Sequence, residues 1–238
     1  MVKLQLINRK RTIKLTKLFF IRHGKTEWNL SGKYQGSKGD SPLLPESYKE
    51  IKLLAGYLAS YKFQRIYCSP LKRAQTTAKT LQHDLAELQT KSVPLQVEPD
   101  LKEFNLGVME GMKFVDAERL YAKEVDAFRN HPDQYFPERI EGETFQHLIG
   151  RMTPLILKIC QRYRDENDNV IIVSHGAALN AIINSLLGVD LADLRKRGGL
   201  ANTSTTILET KDLGKHFDLV DWNETSYLNK TIDPSDVI

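Results

Sequence analysis

Two short stretches of this chain are wholly apolar, and each stops at a histidine followed by glycine. Leu18, Phe19, Phe20 and Ile21 lead into Arg22, His23 and Gly24, and far downstream Val170, Ile171, Ile172 and Val173 lead into Ser174, His175 and Gly176. Apolar runs of this length read as strands buried on both faces of a sheet. Period and punctuation give the other elements. Pro45 opens a helix whose apolar face is Ile51, Leu54 and Leu58, with Leu53 and Tyr57 beside it. Ile66 to Cys68 reads as a strand, with Ser69 as the cap and Pro70 as the first position of a helix running to about Glu87. Val93 to Glu98 reads as a further strand and Phe114 to Asn130 as a polar helical cover. Thr144 caps a helix through about Arg164, with Phe145, Leu148, Met152 and Ile156 as its apolar face. A helix of small residues, Ala177 to Leu187, follows His175, and Thr203 to Leu208 and His216 to Val220 read as closing strands. Ahead of the first histidine, Val2 to Ile7 and Thr12 to Leu18 alternate like two strands about a polar turn, Asn8 to Arg11.

In open parallel sheets ligands bind beyond the carboxyl ends of the strands, so His23 and His175 share one site if their strands are neighbours. The chemistry of such a site is coherent. An imidazole nucleophile, a guanidinium able to grip two oxygens at once and a second imidazole able to donate a hydrogen bond together suit a phosphoryl group. Arg73 falls in the first turn of the helix after Ser69. A cation gains nothing from a helix N-terminus, so its place there points to an anion nearby. The loop from Thr26 to Pro45, carrying Gln35, Gly36 and Asp40, allows close backbone approach to an anion but matches neither a Walker sequence nor a dinucleotide fingerprint. Glu103 and Glu110 lie in a glycine-punctuated loop. Either is a candidate proton donor, and spacing does not choose between them. His147 and Arg151, four apart on one helix, are assigned to surface or packing roles. His83, His131 and His216 lack metal-ligand spacing, so no metal is expected.

Composition narrows the class. At 238 residues the chain can hold one large α/β core, and no linker divides it, so residues 1–238 are expected to form a single domain. No segment approaches the roughly 18 consecutive apolar residues of a membrane span, and no cleavable leader is read. Cys68 and Cys160 form neither a CxxC pair nor a disulfide framework, which makes a reduced, cytoplasmic protein the expectation. The net charge of +4 is unevenly placed, with no acidic residue before Glu27. A basic arm for nucleic acid or a membrane surface is one reading. A strand pair whose lysines blunt a sheet edge is preferred, and neither nucleic acid nor membrane is expected as a partner. No heptad seam or plainly exposed apolar face marks an oligomer interface.

The residues together resemble a known family. Arg22-His23-Gly24-Lys25-Thr26-Glu27-Trp28-Asn29, Ser69-Pro70-Leu71-Lys72-Arg73-Ala74-Gln75-Thr76, Leu101-Lys102-Glu103 with Gly107 and Glu110-Gly111, Gly142-Glu143-Thr144, and Ser174-His175-Gly176 resemble the histidine phosphatase superfamily, also called the phosphoglycerate mutase-like family. The match runs in family order from about Lys17 to about Leu208, leaving residues 1–16 as a basic N-terminal extension. The resemblance implies a three-layer α/β/α fold with a mostly parallel central sheet. It implies a phosphohistidine formed on His23, with Arg22, Arg73 and His175 on the phosphoryl oxygens and the arginines keeping His23 unprotonated. It also implies that Glu103, not Glu110, is the general acid and base, and that Asn29, Gln35, Gly36 and Gly176 line the substrate pocket. No cofactor is implied, and the substrate is a phosphorylated small molecule. Mutases of the family carry a longer insertion after the catalytic Glu, beside an Arg-His-Tyr-Gly run. Here Phe104-Asn105-Leu106-Gly107 follows Glu103, so a phosphatase is expected. The alternatives are a cofactor-dependent phosphoglycerate mutase and a phospho-ligand binding module without turnover. Three departures concern substrate placement: a loop one residue longer between Gly36 and Asp40, Ser47 where glycine is common, and Met109 in place of tryptophan.

Overall fold

The computed structural model describes residues 15–163 and 168–237, apart from the side chain of Pro234. Its elements, in chain order, are β1 (Thr16–Arg22), α1 (Glu27–Leu30), α2 (Pro45–Leu58), β2 (Phe63–Cys68), α3 (Lys72–Gln89), β3 (Leu95–Val97), α4 (Phe114–Leu120), α5 (Ala122–Asn130), α6 (Phe145–Arg162), β4 (Asp168–Ser174), α7 (Gly176–Leu186), β5 (Thr205–Thr210) and β6 (Asp218–Glu224). The strands form one six-stranded sheet in the order β3-β2-β4-β1-β5-β6. The three pairings from β3 to β1 are parallel, and β5 and β6 close the sheet antiparallel.

Alternation along the strands sorts side chains to two faces, as a pleated backbone requires. Leu18, Phe20, Tyr67, Val170, Ile172 and Leu208 join one buried cluster with Leu148, Met152, Ile156, Ala178 and Ile182 of α6 and α7. Phe19, Ile21, Ile66, Cys68, Ile171, Val173 and Ile207 join the other, with Ile51, Leu54, Ala78 and Leu81 of α2 and α3. The architecture is therefore the expected α/β/α sandwich, and it explains why both histidine-bearing strands read as continuous apolar runs. Cys68 and Cys160 are buried and unpaired.

Several boundaries differ from the sequence expectation. Thr16 to Leu18 belong to β1 itself rather than to a preceding strand, because Thr16 already pairs with Asp168 and Thr210. The strand expected at Val2 to Ile7, its turn and the start of its partner lie outside the described residues. The loop after His23 contains a one-turn helix, α1, capped reciprocally by Thr26 and Asn29. The long polar helix is two, α4 and α5, broken at Tyr121. Ser69 does not cap α3: Leu71 stands at that position, and the Asp40 carboxylate reaches across to accept from the amides of Lys72 at 2.6 Å and Arg73 at 3.4 Å. Asp40 is thus the anion that the position of Arg73 called for.

Candidate active site

Parallel pairing of β1 with β4 sets Arg22 opposite Ser174, so the residues that leave the two strands emerge side by side. The His23 amide donates to the Ser174 carbonyl at 3.0 Å, and the His23 and His175 rings lie edge to face with centroids 5.2 Å apart. The expectation that two strand ends share one site is met. Around them lies a narrow cleft lined by Arg22, His23, Asn29, Tyr34, Gln35, Gly36, Arg73, Glu103, Leu106, Phe128, Gly176 and Ala177.

The hydrogen bonds of His23 assign its tautomer. Nδ1 lies 2.8 Å from the Gly24 carbonyl, which can only accept, so Nδ1 carries the proton. Nε2 receives a hydrogen bond from Arg73 Nε at 3.2 Å and is therefore the lone-pair nitrogen. Burial holds the ring well below the ordinary imidazole value of 6.5, and the charges of Arg73 and Arg22 lower it further. Desolvation, more than the arginines, keeps this imidazole neutral.

His175 is prepared differently. Its Nε2 lies 2.7 Å from Ser69 Oγ, and that oxygen already accepts from the Leu71 amide, so its proton is free to point at the ring. When Ser69 donates to Nε2, the proton of the ring sits on Nδ1, which is buried and without a partner. Burial, then Arg73, His23 and Arg22, also lower the His175 pKa well below 6.5. Ser69, read from the sequence as a helix cap, orients this imidazole instead.

The two arginines differ in what they have left to offer. Arg73 is held by the Gly36 and Gly39 carbonyls, both at 2.8 Å, and by Asp40 at 3.3 Å. Arg22 donates through Nη1 to the carbonyls of Leu200 and Asp236, while its Nε and Nη2 are buried with no partner. Burial lowers the Arg22 pKa to about 10 despite Glu103 and Asp236 nearby, which leaves it cationic at neutral pH. Asp236 lies near the chain end and is itself tied by Lys25 at 2.9 Å and Lys230 at 3.3 Å. This C-terminal latch on Arg22 has no motif in the sequence to announce it.

Asn29 accepts with Oδ1 from Thr26, leaving Nδ2 a buried free donor in the cleft. Gln35 lines the cleft but its amide is engaged at both ends, donating to Thr26 Oγ1 and accepting from Ser41 Oγ. Gly36 has φ +61°, and a Cβ there would lie 2.3 Å from the Glu110 carboxylate, so glycine is required both by the turn and by the close approach. Gly176 opens α7, and a Cβ on it would meet Arg22 Nε at 3.0 Å. Its role is to let Arg22 pack close.

Geometry separates the two candidate acids. Glu110 accepts from the amides of Ser37, Lys38, Gly39 and Leu106 at 2.8 to 3.0 Å, so it staples two loops together. Glu103 lines the cleft, its carboxylate held by the amides of Phe104, Ala177 and Ala178 at the start of α7. Arg151 is not the unpartnered surface residue expected. It forms a two-point ion pair with Glu143 at 2.8 and 2.9 Å and donates to the carbonyls of Asp100, Lys102 and Glu103. His147 joins Glu143 at 2.9 Å. The spacing of His147 and Arg151 by four along α6, with Glu143 a further four back and just ahead of the Thr144 cap, was the available sign of this cluster. Away from the cleft, His83, Asp84 and Glu87 present ligand atoms within 4.8 Å of one another on the exposed side of α3.

The sequence profile of the histidine phosphatase superfamily (branch 1) matches residues 18–225. The chain belongs to this superfamily. It is 32% identical over 176 residues to the Bacillus subtilis protein named uncharacterized phosphatase PhoE, covering 74% of this chain and 80% of the relative. It is also 33% identical over 181 residues to phosphoserine phosphatase 1 of Hydrogenobacter thermophilus, covering 75% and 79%. Among solved structures, Bacillus stearothermophilus YhfR superposes with a TM-score of 0.79 at 27% identity, over 90% of this chain and 99% of that one. A mycobacterial glucosyl-3-phosphoglycerate phosphatase in complex with VO3 superposes with a TM-score of 0.76 at 26% identity, over 87% and 98%. These histidine phosphatase relatives support phosphomonoester hydrolysis. No helix among the described residues is long and apolar enough to cross a membrane.

Proposed function

We propose that this histidine phosphatase hydrolyses the monoester of a phosphorylated small molecule through a phosphohistidine on His23 Nε2, with Glu103 as general acid and base. The observation that carries the reading is the fixed tautomer of His23: Nδ1 is committed to the Gly24 carbonyl, and Nε2 is the lone-pair nitrogen, accepting from Arg73 Nε, in a cleft-lining imidazole kept neutral by burial. A neutral, oriented imidazole is the form that can attack phosphorus. Arg22 Nε and Nη2, Asn29 Nδ2 and His175 Nδ1 are buried donors without partners, and three phosphoryl oxygens would answer them.

In the first step Nε2 bonds to phosphorus as the ester P–O bond breaks, and Glu103 in its acid form gives its proton to the departing alkoxide. In the second, Glu103 takes a proton from water as the hydroxide attacks phosphorus and the P–N bond breaks, releasing orthophosphate and restoring His23. Charge on the transferring group is met by preset donors rather than by reorganising water, which is where most of the acceleration in phosphoryl transfer arises. A binding module would need the donors but not the acid. Two packed faces share one continuous sheet, which supports reading residues 1–238 as one domain.

The test is intact-mass spectrometry during turnover of an aryl phosphate, quenched in alkali to preserve phosphohistidine. A transient phosphoryl adduct is expected in the wild type, absent in His23→Ala, with slower phosphate release in Glu103→Gln. No adduct and no His23-dependent release across a panel of esters would overturn the proposal. Bisphosphoglycerate-stimulated interconversion of phosphoglycerate isomers would transfer the protein to the mutases.

A further inference from the structure

One wall of the cleft is aromatic, is left unused by the phosphoryl chemistry, and is backed by two arginines. Tyr34 and Phe128 line it. The Arg195 guanidinium lies over the Phe128 ring at 5.3 Å, and that of Arg129 lies over Tyr34 and Phe114 at 5.9 and 5.6 Å. Arg195 interacts electrostatically with Glu103 and the Tyr34 hydroxyl, both of which line the same cleft. Arg129 is answered by an ion pair with Glu118. Arg195 is not: it has no ion pair among the described residues, and its Nη1 is buried and donates no hydrogen bond. The buried Tyr34 and Tyr135 hydroxyls likewise lack a hydrogen bond of good geometry.

Stacking on Phe128 accounts for one face of the Arg195 guanidinium but leaves the Nη1 donor unsatisfied. A buried cationic donor with no acceptor is costly, and a fold that retains one beside a ligand cleft gains from it when an acceptor arrives. The acceptor best matched to a guanidinium is a carboxylate or phosphate oxygen.

We infer that this wall is a second anion subsite: the substrate's leaving alcohol carries a further carboxylate or phosphate, which sits against Arg195 Nη1 and the Tyr34 hydroxyl while the scissile phosphoryl group sits at His23. The inference rests on the phosphatase reading above, and it adds the class of substrate. The site prefers a dianchored, doubly anionic ester. Arg129 adds positive field from the neighbouring helix α5 without donating its own hydrogen bonds to the ligand.

The test compares kcat/KM for three esters of equal chain length: propyl phosphate, its analogue ending in a carboxylate, and its analogue ending in a second phosphate. The wild type is expected to favour at least one charged ester over propyl phosphate by about tenfold or more, the value of one charge-assisted hydrogen bond. Which analogue gains identifies the second anion. Arg195→Gln is expected to erase about tenfold of that ratio through KM, and Arg195→Lys to restore part of it. A purely structural arginine would change all three esters in the same proportion, and that outcome, or a wild type with no preference for charge, overturns the inference. If Arg195→Gln does not fold, Tyr34→Phe is held to the same ratio. Should these esters and the aryl phosphate all resist hydrolysis, the phosphatase reading fails by itself, and the subsite is then judged on the same ratio in calorimetric Kd values.

Discussion

Arg151 offers a sharp test of how the candidate acid is placed. Its guanidinium makes two charged contacts to Glu143 and three more to the carbonyls of Asp100, Lys102 and Glu103, the turn that delivers Glu103 to the cleft. In Arg151→Met the aliphatic stem is kept and these contacts are lost. Glu143 is largely buried and would retain only the exposed His147 and the Asn105 amide at 3.3 Å. Breaking a buried pair from one side costs about 3 to 5 kcal/mol, and the remaining partners of Glu143 place the value at the low end, about 3 kcal/mol. For a chain of this size that corresponds to a fall in Tm of roughly 6 to 12 °C. The Glu103 carboxylate still has the α7 amides, so the acid should shift rather than be lost. A displacement on the order of 1 Å lowers kcat by ten- to a hundredfold. Inhibition by orthophosphate should change little, because Arg151 shares no hydrogen bond with Arg22, Arg73 or His175 among the described residues and acts on His175 only as the weakest of its neighbouring charges. Urea unfolding and steady-state phosphate release, measured on the same preparation below the melting range, give both numbers. A protein destabilised as expected but with unchanged kcat would show that the α7 amides alone position Glu103, and the argument would be wrong.

Two further outcomes follow from the histidines. Ser69→Ala removes the hydroxyl that directs the His175 proton to Nδ1, so kcat should fall about tenfold with the fold intact; full activity would mean that His175 is oriented without it. The second outcome concerns stability and pH. His23 and His175 are held neutral in the fold, chiefly by burial and then by the neighbouring arginines, whereas both protonate near 6.5 in the unfolded chain. Unfolding therefore takes up protons, and stability should fall as the pH drops below about 6.5, by up to about 1.4 kcal/mol per pH unit for each imidazole. His23→Gln should flatten the dependence of unfolding free energy between about pH 5 and pH 6.5 by one proton. Equal slopes in the two proteins would mean that His23 is protonated in the native state.

What could be read from the chain was what repeats locally. The unbroken apolar runs Leu18 to Ile21 and Val170 to Val173 follow from burial on both sides of a sheet, so the strands, their histidines and the layered architecture were all visible in short windows of sequence. The neighbouring order of β1 and β4 was a condition the periodicity could not supply, and the pairing of Arg22 with Ser174 meets it. Contacts made across the fold were hidden. Asp40 caps α3 from 32 residues away, and Ser69, with the right chemistry for that cap, is used on His175 instead. Local propensity names the residue type a helix start wants but not which segment provides it. The same limit applied to Glu103 and Glu110. Both are acids in one loop, and only the amides that each meets, those of α7 for one and of the Ser37 to Gly39 turn for the other, distinguish a side chain facing a cleft from one consumed in holding it open. The distinction generalises within this site. Each group whose polar atoms are fully engaged by the protein, such as Glu110 or Gln35, builds the pocket. Arg22, Asn29, His175 and Arg195, each with a buried nitrogen left without a partner, are where the oxygens of the proposed substrate would complete the hydrogen-bond count.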